Sequence, residues 1–154
     1  MQPEIRTRPD KTILYVRRTG NYNKTATEAW SALCEFAGPR GLLGRNTECL
    51  GIGHDDPAIT AEDKLRYDAC ITVDGDVKPE GEVGKTILQG GLYAVFMHKG
   101  PYNRLNDTYQ AIYKDWMPSS RMKLRDCACF ELYLDDVHRT KPENLRTEIW
   151  VPVD

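Results

Sequence analysis

An α+β fold made by duplicating one strand-helix-strand-strand module is predicted by three observations. The 154-residue chain repeats itself once at a shift of 80. Each half places strand-sized runs around one stretch of helical period, and the segment joining the halves carries neither signal. At about 150 residues a folded chain buries roughly 70% of the surface it exposes when unfolded, so a core forms without a disulfide or metal staple.

The repeat comes first because it lets every element be read twice. Without a gap, Gly20, Tyr22 and Asn23 overlay Gly100, Tyr102 and Asn103, and Arg45 and Cys49 overlay Arg125 and Cys129. Asp55-Asp56 meets Asp135-Asp136, Thr60 meets Thr140, Leu65-Arg66 meets Leu145-Arg146, and Val73 meets Val153. A constant offset separates this from chance. The expected organisation is one domain over 1–154, with a first repeat over about 1–74, a linker over about 75–83 rich in charge, Gly and Pro, and a second repeat over about 84–154.

Each half opens with a strand, 12–19 and 92–99, β-branched and aromatic in part and stopped by a glycine. A helix follows. Leu105, Tyr109, Ile112, Tyr113 and Trp116 form a stripe of helical period, and Ala26, Ala29, Trp30, Leu33 and Phe36 form its counterpart. Gly38-Pro39 and Pro118 are expected to end the two helices. Strands at 48–54 and 65–73, then 128–134 and 147–153, complete the modules. One helix covers one face of a three-stranded sheet, so the other face of each half needs a partner, and the sister repeat supplies it.

Composition closes several function classes. With 21 basic against 23 acidic residues and a net charge of −2, the signs interspersed, no basic face exists to neutralise a row of phosphates, so no direct nucleic-acid binding is expected. No apolar run approaches the ~20 residues of a membrane span. The polar start, Met1 to Arg8, lacks a secretory apolar segment, which points to the cytoplasm. The five cysteines form no Cys-x-x-Cys and read as reduced core thiols, and the three histidines are dispersed, so no metal site and no cofactor are expected. No nucleophile elbow or phosphate-cradling loop occurs either.

Side chains alternate along a strand, so parity separates the helix-covered face from the open one. The apolar set Phe130, Leu132 and Leu134 is expected under the helix, which places Cys129, Glu131 and Tyr133 on the open face between the repeats. By the same rule Ile149, Val151 and Val153 face the helix and leave Glu148 and Trp150 opposite. Gly51 stands where the second repeat has Glu131, with Gly53 beside it. Bare backbone facing acids and aromatics predicts a cleft between the repeats for a flat or cationic ligand, lined by Glu131, Tyr133, Trp150, Glu148, Gly51, Gly53 and Tyr102. Each residue also has a plainer reading. Glu131 could pair with Arg125; Tyr133 and Trp150 could be packing residues; Tyr22 and Tyr102 could pack beside their turns. Trp30 and Trp116 read as core, and the paired aspartates as solvated turn residues.

The run Gly90-Gly91-Leu92-Tyr93-Ala94-Val95, then His98-Lys99-Gly100-Pro101-Tyr102, Phe130-Glu131-Leu132-Tyr133-Leu134-Asp135-Asp136 and Thr147-Glu148-Ile149-Trp150-Val151-Pro152-Val153, resembles the GyrI-like family. In the first half, Asp55-Asp56-Pro57 and the stretch from Leu65 to Val73 resemble it too. This is the superfamily of effector-binding domains of AraC-type and MerR-type bacterial multidrug regulators and of the stand-alone DNA gyrase inhibitory protein. The resemblance implies a duplicated module with a ligand cleft between its copies, and it maps the family's drug-binding glutamate, in a Phe-Glu-x-Tyr strand, onto Glu131. No helix-turn-helix precedes the module, so a DNA-reading regulator is not expected. Three activities follow as expectations: binding of a lipophilic, cationic or planar small molecule for sensing or sequestration; hydrolysis of cyclopropane-bearing genotoxins, with Glu131 as acid or base; and inhibition of DNA gyrase as a protein partner. Either a monomer or a homodimer fits.

Overall fold

The computed structural model describes residues Met1–Asp154. Its elements in chain order are β1 (Glu4–Arg8), β2 (Lys11–Thr19), α1 (Tyr22–Ala37), β3 (Cys49–Gly53), β4 (Arg66–Thr72), β5 (Gly84–Leu88), β6 (Gly91–Lys99), α2 (Leu105–Gln110), α3 (Met117–Ser120), β7 (Phe130–Tyr133) and β8 (Arg146–Pro152). They form two compact units. One comprises Asp10–Gln89, and the other joins Met1–Pro9 to Gly90–Asp154.

The duplication holds down to individual hydrogen bonds. In the first unit Ile13 pairs with Thr72, Thr19 with Arg66 and Leu50 with Cys70. In the second, Tyr93 pairs with Pro152, Lys99 with Arg146 and Phe130 with Trp150, each shifted by the same 80 residues. Gly20 and Gly100 end the opening strands with φ of +139° and +133°, a region that only glycine enters freely, and donate to Leu65 O and Leu145 O at 2.8 Å in both cases.

Each unit has a fourth strand that the sequence pattern does not reveal. β5 pairs with β2, and β1 pairs with β6, so neither edge strand docks on the module that immediately follows it in the chain. The sequence places 84–88 in the second repeat, whereas here it belongs to the sheet of the first. Both strands are short and largely exposed, so no alternation marks them.

Helix α1 starts at Asn21, whose side chain accepts from Asn23 N at 2.8 Å. It buries Ala29, Leu33 and Phe36 against Leu14, Val16, Ala69 and Ile71. In the other unit Leu105 and Ile112 pack on Ala94, Phe96, Ile149 and Val151. Each of the Leu, Ile, Val and Phe side chains contributes about 1.5–3 kcal/mol by burial. Trp30 and Trp116 join these cores as expected, Trp30 donating to the Tyr67 hydroxyl at 2.9 Å and Trp116 meeting Phe96 edge-on. Pro118 does not end its helix. After α2 the chain makes a π-helical turn, Ala111–Trp116, and Pro118 falls in the first turn of α3, where a missing N–H is tolerated. The helix stops instead at Arg121, whose φ is +63°.

The aspartate pairs divide their work. Asp56 and Asp136 are exposed and close their turns by accepting from Ala58 N and His138 N. Asp55 and Asp135 each clamp an arginine, Arg66 or Arg146, through its backbone N–H, Nε and Nη2 at 2.8–3.1 Å.

Candidate functional site

Glu131 lies on the helix side of its sheet, opposite to the face its parity suggests. It pairs with Ile149, whose side chain is in the core under α2, while Phe130 pairs with Trp150 on the other face. The reason is physical: Phe130 is 1% and Leu132 7% exposed, so the face away from the helix is buried too, and apolar character does not say which face the helix covers.

The helix brings the partners. Tyr109 of α2 donates its hydroxyl to Glu131 Oε2 at 2.6 Å, and Tyr133, two residues along β7, donates to Oε1 at 2.8 Å. Tyr102, in the turn between β6 and α2, sets its ring 5.5 Å from Tyr133. Tyr113, on the π-helical turn, lies parallel to Tyr109 with centroids 6.4 Å apart and is 39% exposed. One carboxylate thus holds two tyrosine hydroxyls, and each of those rings has a second tyrosine beside it on the same unit.

Burial pushes the Glu131 carboxyl above its ordinary range, opposed by the hydroxyls of Tyr109 and Tyr133 and by the nearby His98. Tyr109 is raised well above its usual value by burial and by the Glu131 charge, so it stays a donor at neutral pH. Cys129 is pushed up to about 12 by burial, which leaves a protonated thiol and no nucleophile. His98 is 6% exposed and anchors the start of α2. Its Nε2 donates to Pro101 O at 3.1 Å, and its Nδ1 lies 2.7 Å from the Thr108 hydroxyl.

Glu148 and Trp150 sit on the opposite face, as their parity implies, but the acid already has partners. Glu148 is 7% exposed and accepts from Arg6 Nη1 at 3.0 Å and from Trp150 Nε1 at 3.2 Å. Arg125, a sequence candidate to pair with Glu131, instead donates to the carbonyls of Gly90, Leu92 and Val153 and covers Tyr93. In the other unit Asp68, the counterpart of Glu148, is held by Arg17 at 2.7 Å and His54 at 2.7 Å. Gly51 and Gly53 are both on β3. The space above Gly53 is filled by the chain's own Tyr22, whose ring would lie 3.5 Å from an added Cβ.

An open cavity of about 480 Å³ lies beside the start of α1 and another of about 280 Å³ beside Lys11 and Asp74, and neither of these is lined by a candidate residue. No three His, Cys, Asp or Glu side chains converge as a metal site requires. Sequence reasoning missed Tyr109 and Tyr113 as site residues because it assigned both to the helical stripe. The available signal was a pair of hydroxyl-bearing residues four apart at the edge of that stripe.

Comparisons with known proteins bear on this geometry. The family described as "GyrI-like small molecule binding domain" matches residues 1–154. A probable transcriptional regulator, YgiV of Escherichia coli K12, is 30% identical over 109 residues, covering 70% of this chain and 68% of the relative. A protein of Erwinia billingiae named DNA gyrase inhibitor is 24% identical over 159 residues, covering 99% and 97%. Among solved structures, EcmrR in a complex with DNA superposes with a TM-score of 0.84 at 20% identity; 99% of this chain matches 57% of EcmrR, just over half of its length. SAV2435 bound to tetraphenylphosphonium superposes with a TM-score of 0.65 at 19% identity over 100% and 94% of the two chains. At these identities the structural matches establish the fold.

Proposed function

The chain belongs to the GyrI-like small-molecule-binding domain family, and from that premise we propose that it binds a lipophilic, planar or aryl-substituted cation at the Glu131 carboxylate, for sensing or sequestration in a bacterial cytoplasm. The observation that carries this reading is one partly buried carboxylate hydrogen-bonded by two tyrosines, Tyr109 and Tyr133, each of which has a further tyrosine ring beside it, Tyr113 or Tyr102. A carboxylate supplies the charge preference, and ring faces supply stacking and cation-π attraction of about 0.5–2 kcal/mol each. Both Glu131 oxygens already accept a hydroxyl, so a cation without N–H donors suits it best. A fold neighbour bound to tetraphenylphosphonium supports the same class. Gly51, Gly53, Glu148 and Trp150 play no part in this reading, while Tyr102 and Tyr133 keep the binding role read from the sequence and Tyr109 and Tyr113 join them.

The test is calorimetric titration with tetraphenylphosphonium and its neutral analogue tetraphenylmethane-type carbon isostere. Binding of the cation alone, weakened tenfold or more in Glu131→Gln with the fold retained, is the expected result. Equal affinity in the mutant removes Glu131 from the reading.

A second reading has its own support in the raised Glu131 proton affinity beside Tyr109. In its ionised form a carboxylate so placed takes a proton from a water whose oxygen bonds to a cyclopropane carbon of a genotoxin, while the ring C–C bond to that carbon breaks and its electron pair passes to the acceptor group conjugated with the ring. Turnover of such a substrate by the wild type and not by Glu131→Gln is the outcome it requires. A role on DNA gyrase rests on relatives' names alone, and unchanged supercoiling at high protein excess would dismiss it.

A further inference from the structure

The two copies of the module start their helices in different ways. α1 is capped locally, since the Asn21 side chain accepts from Asn23 N. Position 101, its counterpart after 80 residues, is a proline, and no side chain caps the turn Tyr102–Arg104 or the start of α2. A cap fixes where a helix begins, so the second helix needs another anchor.

His98 supplies it from β6. Its Nε2 donates to Pro101 O at 3.1 Å, and its Nδ1 lies 2.7 Å from the Thr108 hydroxyl. The ring is buried, so water does not compete for either bond. The two residues it grips immediately precede Tyr102 and Tyr109. Tyr102 packs on Tyr133, and Tyr109 donates to Glu131 Oε2. One imidazole thus spans the turn and the helix that carry rings to the acid.

The first unit lacks both halves of this arrangement. Arg18, the counterpart of His98, donates to Glu82, and Glu28 stands where the second unit has Thr108. Gly51 replaces Glu131. The histidine clasp and the carboxylate therefore occur together in one copy and are both missing from the other, although the same fold forms in each.

We propose that His98 is the positioning residue of the Glu131 site: it fixes the entry of α2, and with it the reach of the Tyr109 hydroxyl to the carboxylate and the seat of Tyr102 beside Tyr133. It acts through those tyrosines and does not touch the ligand. The inference rests on the reading of Glu131 as a cation site and adds what sets its geometry and charge. A hydroxyl held at 2.6 Å favours the ionised carboxylate, and a helix free to shift weakens that bond. The carboxyl then keeps its proton to higher pH, and its attraction for a cation falls.

The deciding variant is Thr108→Val, which keeps the shape and every charge but removes the Nδ1 partner. Thr108→Ser restores the hydroxyl, and His98→Phe removes both bonds. Two quantities are read at a temperature where each variant is folded: the Glu131 titration midpoint by carboxyl-carbon NMR, and tetraphenylphosphonium affinity by calorimetry. Thr108→Val and His98→Phe are expected to raise the midpoint and weaken binding severalfold, and Thr108→Ser to return both to the wild-type values. A merely structural role lowers the melting temperature and leaves the midpoint in place, so a wild-type midpoint in Thr108→Val overturns the proposal. His98→Phe also takes an imidazole from the neighbourhood of Glu131, so Thr108→Val decides where the two disagree. If the wild type does not bind tetraphenylphosphonium, the cation reading of Glu131 falls, and the midpoints alone decide on His98.

Discussion

The Tyr109 hydroxyl sits 2.6 Å from Glu131 Oε2, linking the helix of one unit to an acid on the strand beneath it. This contact ties the charge of the candidate site to the packing of α2. Hydrogen bonds to charged groups contribute about 1.5–3 kcal/mol, so Tyr109→Phe should cost about that much at pH 7 by denaturant unfolding, and should raise the Glu131 proton affinity further.

Glu131 itself sets a pH dependence. Its folded-state proton affinity lies above the unfolded value near 4.3, so protonation stabilises the fold; that contribution is complete below the unfolded value and is lost as pH rises through the folded one. Glu131→Gln lacks this loss. Its melting temperature relative to wild type should therefore climb between pH 4 and pH 7, and a flat difference would contradict the burial of the carboxylate.

The Asp55 clamp runs the other way. Hydrogen bonds from Arg66 hold its carboxyl down to about 2, against an unfolded value near 3.9. The stabilisation is present above the unfolded value and is lost as pH falls through about 2. Asp55→Asn should lower the melting temperature by a constant amount from pH 5 to 7, and the gap to wild type should close as pH drops below 4.

Gly84 tests the edge strand. A Cβ there would lie 2.5 Å from Tyr15 Cζ, within the rigid ring. Gly84→Ala should cost about 1–3 kcal/mol and loosen β5, seen as faster amide exchange over Gly84–Leu88. Gly44→Ala, whose nearest neighbour would be Thr47 Oγ1 at 3.9 Å, is the tolerated control.

Thr147 carries a fully buried hydroxyl with no hydrogen-bond partner, between His98 and Tyr133 in the sheet. An unsatisfied buried polar group costs about 1–3 kcal/mol. Thr147→Val keeps the shape and should raise stability by up to about that amount in chemical denaturation.

The duplication was legible because the repeat conserves what the backbone needs: Gly20 and Gly100 at the strand ends, Asp55 and Asp135 on their arginines, and a strand register that recurs after 80 residues. Glu131, Tyr133 and Tyr102 were legible as residues of interest, but the face that Glu131 occupies was not. Alternation reports which residues differ in polarity. When Phe130 and Leu132 are as buried as the residues under the helix, it carries no information about where the helix lies.

Local sequence by itself determined the strand-helix-strand-strand order within each module, the helix stripes, the glycine stops of the opening strands and the family. Tertiary structure decided three things: that β1 and β5 dock away from the strands they adjoin, that Tyr109 reaches Glu131, and that Arg6 rather than a free ligand answers Glu148. Each of these joins residues 22 to 142 positions apart or depends on which of two buried faces a helix covers. Such pairings are set by packing across the whole sheet, and no local period encodes them.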